Sequence, residues 1–170
     1  MGKVQRRVVA DGAVYEVACA VRADAVTSPV STFLDELAGG LVDASSAPDL
    51  APDEQIGHQA WLEAAFERFA EYGDLPGPHA WNRLRDGVWE IKRFNLRITF
   101  FDTDGQGSWD PKLGFEGERL WGPPDLPEFD DYIRLATAFV KPPHIRKTPP
   151  GEIELAKRVR DEDVSHDRAE

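Results

Sequence analysis

Hydrophobic positions change period several times along the chain, and each change predicts an element. Residues 14–21 (VYEVACAV) concentrate β-branched and small apolar side chains and predict a first strand. In TSPVSTFLDELAGG, Val30, Phe33, Leu34 and Leu37 then recur at helical spacing. Ser28 is the candidate cap there, Pro29 suits the first helical position, and Gly39 and Gly40 stop the helix. Residues 41–51 are small, polar and proline-containing, hence a loop. A second helix is predicted over 52–72, where Ile56, Trp61, Leu62, Ala65, Phe66 and Phe69 fall close to one stripe. Asp53 and Glu54 favour its N-terminus and Gly73 its end.

From residue 80 the period becomes that of strands. The turn-like pair Asp86-Gly87, then VWEIKRF, Asn95 and LRITFF, predict an antiparallel meander. Trp89 and Ile91 alternate with Glu90 and Lys92, and Leu96, Ile98 and Phe100 with Arg97, Thr99 and Phe101. One sheet face should therefore be apolar and the other partly cationic. Residues 102–132, rich in Gly, Pro and acids, keep no period and predict an acidic insertion, with Trp109, Phe115 and Trp121 as candidate anchors. The sheet resumes over 133–140, where alternation puts Ala136, Ala138 and Val140 inward and Thr137 and Lys141 on the cationic face. The loop KPPHIRKTPP (141–150) precedes a final helix of two or three turns, with an acidic tail fraying from Asp161. These elements predict one α+β domain: a small antiparallel sheet, an N-terminal helical hairpin and a C-terminal helix.

Composition narrows the setting. One cysteine, Cys19, allows no internal disulfide, and no Cys/His set has structural zinc spacing, so we expect no metal and no cofactor. No apolar run suits a signal peptide or a membrane span, and the expected location is the cytoplasm. The net charge of −11 disfavours indiscriminate nucleic-acid binding. Its distribution changes that picture: residues 81–97 carry +3 and residues 133–160 carry +5, two basic islands in an acidic chain.

Three ordered motifs resemble the RelE/HigB-like toxins of type II toxin-antitoxin modules, including their phage-derived HigB-like members. Pro29-Val30-Ser31-Thr32-Phe33-Leu34-Asp35-Glu36-Leu37 is similar to the family's opening helix, and Gly87-Val88-Trp89-Glu90-Ile91-Lys92 to its central strand. Phe139, Lys141, Lys147, Thr148, Pro149, Glu152, Ile153 and Ala156 match its closing signature. Thr137 and Ala138 stand where the family has a His-Gly pair, and the basic loop is two residues longer. The resemblance implies a RelE-like fold and ribosome-dependent mRNA cleavage without metal, by 2'-OH attack on the neighbouring phosphate. Its implied partners are a cognate helix-turn-helix antitoxin, the ribosome and mRNA.

Such chemistry needs cations against the added negative charge, a base for the 2'-OH and an acid for the leaving 5'-oxygen. Arg and Lys suit the first role and His the others. The candidate catalytic residues are Lys92, Arg97, His144 and Lys147, and the candidate RNA- and phosphate-binding residues are Arg83, Arg93, Lys141 and Arg146. Each also has a plain explanation. Lys92 and Arg97 suit cross-strand pairing with Glu90, His144 suits a solvated loop, and Arg146 and Lys147 suit a soluble surface. Trp89, Phe94, Phe100 and Phe139 suit core packing better than base stacking. Asp102 and Asp104 are weak evidence for a cation site. The alternative to a toxin is a catalytically silent RelE-like module that binds an antitoxin-like regulator; a further option makes the acidic insertion a strip covering the cleft.

Overall fold

The computed structural model describes residues 4–43, 47, 50–77, 79–112 and 126–168. Its elements run β1 (Val8–Asp11), β2 (Glu16–Cys19), α1 (Pro29–Ala38), α2 (Pro52–Tyr72), β3 (Trp81–Arg83), β4 (Trp89–Arg93), β5 (Leu96–Thr103), β6 (Tyr132–Val140) and α3 (Pro150–Asp167). They form an α+β fold around one six-stranded sheet of order β1-β2-β6-β5-β4-β3. The sheet is mixed rather than antiparallel throughout. Strand β2 runs parallel to β6, while every other neighbouring pair is antiparallel. Strand β1 was not expected; Val8 and Asp11 at its ends are exposed, so one short edge strand leaves little apolar signature.

Local chemistry explains the helices. The Ser28 hydroxyl accepts from the Ser31 N–H at 3.3 Å, and Pro29 opens α1, which buries Val30, Leu34 and Leu37. Pro52 opens α2, Asp53 and Glu54 stand in its first turn, and Gly73 closes it at φ 71°, donating its N–H to Phe69 O. Leu62, Ala65, Phe66 and Phe69 are buried along α2 as expected, whereas Ile56 is exposed.

The sheet separates two cores. On one side α1 and α2 cover Trp81, Trp89, Ile91, Leu96, Ile98, Phe100, Ile133 and Leu135. On the other, Ala156, Val159 and Val164 of α3 pack against Val88, Phe101 and Ala136. Ala136 thus faces α3 and does not share the inward side of Ala138. The cause is a bulge: Ile98 pairs with Ala138 but Phe100 with Leu135, so one extra residue of β6 shifts the alternation. Thr137 fills the bulge, its hydroxyl 2.6 Å from that of Thr99, with its N–H donated to Thr99 Oγ1 at 3.0 Å.

Helix α3 continues to Asp167 instead of fraying after Arg160. Arg6 holds its far end through Asp163 at 2.9 Å, the buried Asp163 carboxylate also accepts the Val21 N–H, and Arg22 pairs with Glu162 at 2.8 Å. Such long-range partners are invisible to local propensity. The insertion leaves and re-enters the sheet through a clamp, Lys112 Nζ lying 3.2 Å from Asp102 and 3.0 Å from Asp130. Phe129 then enters the larger core between Tyr15, Phe69, Trp89 and Phe100. Trp109 packs on the α3 side, under the Arg160 guanidinium. The candidate anchors Phe115 and Trp121 lie outside the described residues.

Candidate functional site

A groove of about 550 Å³ runs between the β3–β4 edge, the loop after β6 and the first turn of α3. Arg83, Arg85, Arg146 and Lys147 line it, with Asn82, Glu90 and Thr148. The two basic islands therefore meet in one groove.

Backbone and side-chain bonds fold the second island back onto the sheet. The Lys141 N–H donates to Asn95 O at 2.7 Å, Ile145 N–H to Pro142 O at 3.1 Å, and Lys141 Nζ to Arg146 O at 2.8 Å. Thr148 then donates its hydroxyl to Glu90 Oε2 at 2.7 Å. With Pro142, Pro143 and Pro149 fixing φ along the way, few conformations remain to the loop.

Glu90 organises the floor. It is 1% exposed, accepts from Asn82 Nδ2 at 2.9 Å, and has Arg97 Nε 3.7 Å from Oε1. Arg97 is itself buried, donating through Nη1 to Phe94 O and Leu96 O at 2.5 and 2.9 Å, while its Nε has no hydrogen-bond partner. Burial pushes the Arg97 pKa down from the ordinary arginine value, and the Glu90 carboxylate opposes the shift. Lys141 is pushed down by burial and by neighbouring Arg97, again against Glu90. One buried carboxylate thus faces two cations, Arg97 at 3.7 Å and the half-buried Lys141 farther off, and the three together keep a net positive charge. The rim differs: the exposed side chains of Arg146 and Lys147 form no ion pair among the described residues. Rim cations of that kind remain available to an anion.

The remaining sequence candidates divide. Lys92 stands opposite Arg97 in register and shares its face. Arg83 reaches the groove from β3, 5.9 Å above the Trp89 ring. Arg93 goes to the other face of the sheet, since alternation from Trp89 and Ile91 carries it toward α2. There its guanidinium lies 4.8 Å from the Trp61 ring centroid and 4.7 Å from that of Phe94. His144 sits exposed in the turn after Pro142 and does not line the groove. Of the four aromatics weighed for stacking, Trp89 and Phe100 are buried in the core, Phe139 is half-buried and Phe94 is exposed.

Sequence reasoning missed Arg85, Asn82 and Thr148. Arg85 lies two residues beyond Arg83 in the same island and pairs with Glu154 of α3 at 2.8 Å. Asn82 pairs in register with Glu90, a link readable only once the hairpin is closed at Asp86-Gly87. Thr148 was visible in the closing motif, but its role depends on a partner 58 residues away.

Chemically, the groove presents cations at its rim, tied by the Thr148–Glu90 bond to a polar floor. No group of three or more His, Cys, Asp or Glu side chains among the described residues is arranged to hold a metal ion. No helix among them is long and apolar enough to cross a membrane. No family model, curated protein or solved structure matches the chain.

Proposed function

We propose that the chain is the toxin of a type II toxin-antitoxin module, a RelE/HigB-like endoribonuclease that cuts mRNA on the ribosome without metal and is silenced by a helix-turn-helix antitoxin. The observation that carries this reading is the meeting of two basic segments, far apart in sequence, in one groove around Glu90. The element order from β2 onward, strand, helix, helix, meander, strand, helix, agrees with what the motif resemblance implies. In this reading Arg83, Arg146 and Lys147 hold the phosphates flanking the scissile bond. Lys92, Arg97 and Lys141 supply positive potential from beneath, where low dielectric strengthens it. The acidic remainder of the surface repels RNA elsewhere and confines attraction to the groove.

A second reading is favoured by a specific observation. Among the described residues no histidine lines the groove, and Arg97 is committed to Glu90 and to two carbonyls. That arrangement suits a catalytically silent module of the same fold, binding an antitoxin-like regulator. Expression in bacteria, without and with the neighbouring gene product, separates the two. Growth arrest with codon-linked cuts in translated mRNA, lost in Arg146→Ala/Lys147→Ala at unchanged folding, supports the toxin. A folded protein that leaves ribosome-bound mRNA intact contradicts it.

A further inference from the structure

The β4–β5 hairpin turns at Phe94-Asn95, and Phe94 adopts φ 51° while leaving 57% of its surface in solvent. Both facts run against its chemistry. A large ring at positive φ is strained where Gly or Asn is at ease, and its exposure leaves apolar area in water. The preceding hairpin turn shows the contrast, since Asp86-Gly87 take φ 56° and 79° with residues suited to them.

The surroundings hold the ring in place. Arg93 lies against both Phe94 and Trp61, its Nε 3.4 Å from His58 Nδ1, and the His58 ring meets Phe94 edge-on at 5.3 Å. Among the described residues Arg93 has no carboxylate within ion-pair distance, in a chain where acids outnumber Lys and Arg by 31 to 20. The tip also leans on the basic loop. Phe94 O accepts from Arg97, and Asn95 O accepts from the Lys141 N–H.

We propose that Phe94 and Arg93 form a base-stacking subsite for single-stranded RNA, at the hairpin tip beyond the phosphate groove. The proposal rests on the RNA-binding reading of that groove. Phe94 offers its exposed ring to a base, and Arg93 offers an uncompensated cation to the adjoining phosphate. Anionic character together with planar rings is what a nucleotide supplies and what an acidic aliphatic peptide lacks. Lys141 links the two places: its N–H donates to Asn95 O at the tip and its Nζ to the carbonyl of Arg146, which lines the groove.

The test uses fluorescence anisotropy with a labelled single-stranded RNA 8-mer and with an abasic chain of the same length and charge. Phe94→Asn relieves the backbone conflict and removes the ring, so the fold is expected to persist. Its RNA affinity should fall about 5- to 100-fold, while its affinity for the abasic chain stays unchanged. Phe94→Trp should bind RNA at least as tightly as the parent. Equal losses on both ligands, or no loss on RNA, overturn the stacking subsite and leave the groove reading intact. Failure of the parent protein to bind either ligand overturns both. Unchanged RNA binding together with lost capture of the neighbouring gene product would assign the tip to a protein contact instead.

Discussion

The two faces of the sheet obey different rules. Toward α1 and α2, almost every inward side chain is aliphatic or aromatic, and Phe69, Trp89, Phe100 and Phe129 meet mostly edge to face at centroid distances of 5.2 to 5.9 Å, with the closer-to-parallel Trp89–Phe100 pair at 6.5 Å. Toward α3, the apolar patch around Phe101 and Val159 gives way to Glu90, Arg97, Thr99 and Thr137, all buried. The first face maximises area removed from water. The second keeps charges out of water and must satisfy them by hydrogen bonds and a counter-charge, a costlier way to fill space. A polar floor under a cationic rim is what an anion-binding groove needs, and a merely stable sheet would do better without it.

Substitutions should therefore act differently on the two sides. Phe100→Ala opens a cavity beneath Trp89 and Phe129 and should cost about 3–5 kcal/mol, read as a fall in urea midpoint at unchanged slope. Glu90→Ala leaves Arg97 buried without its counter-charge and should cost about 3 kcal/mol. The sharper experiment is the double variant Glu90→Leu/Arg97→Met. It should recover much of that loss while weakening RNA binding; recovery of stability with undiminished binding would erase the proposed division of labour.

A pH prediction concerns the apolar side. Burial pushes the Cys19 thiol from 9.0 up to about 11, against the opposing pull of Arg7 and a hydrogen bond with Ser28. A pKa raised by folding means that the unfolded chain loses this proton first. Stability from this group is therefore intact below about pH 9 and declines as pH rises toward 11. By pH 10.5 the loss should reach about 1–2 kcal/mol, and the buried Tyr15, pushed up mainly by burial, adds in the same direction. Cys19→Ala should show a smaller fall between pH 8 and 10.5; an equal fall would locate the sensitivity elsewhere.

The smallest stability effect should come from Thr148→Val. It removes one bond to a buried carboxylate, about 1.5 kcal/mol, yet it unlatches the basic loop. A loss of polyphosphate affinity larger than this stability change is expected. Equal affinity would mean the loop holds its position without the latch.

These contrasts also explain what was legible in the sequence. Helices α1 and α2, with their proline starts and glycine stops, were readable almost to the residue, because capping and periodicity are local. The meander was readable because Asp86-Gly87 announces its turn and one face is uniformly apolar. The parallel pairing of β2 with β6, the bulge at Thr137 and the full length of α3 were not. Each depends on contacts between residues more than 30 positions apart, such as Thr99 with Thr137 or Arg6 with Asp163. The same limit separated the site candidates. Alternation placed Lys92 and Arg97 on one face correctly. The parity that put Lys92 there also sent Arg93 to the opposite one. Pairing of Arg97 with Glu90 was legible from the same alternation and is present at 3.7 Å, whereas the commitment of Arg97 to the Phe94 and Leu96 carbonyls was not.

The central claim is that two distant basic segments act as one RNA-phosphate site, and the salt dependence of RNA binding tests it most directly. Plotted as log affinity against log salt concentration, Lys147→Ala and Arg83→Ala should each flatten the slope by about 0.7 relative to the parent, and the double variant by about twice that. Slopes that stay at the parental value in both single variants, with the proteins folded, would contradict it.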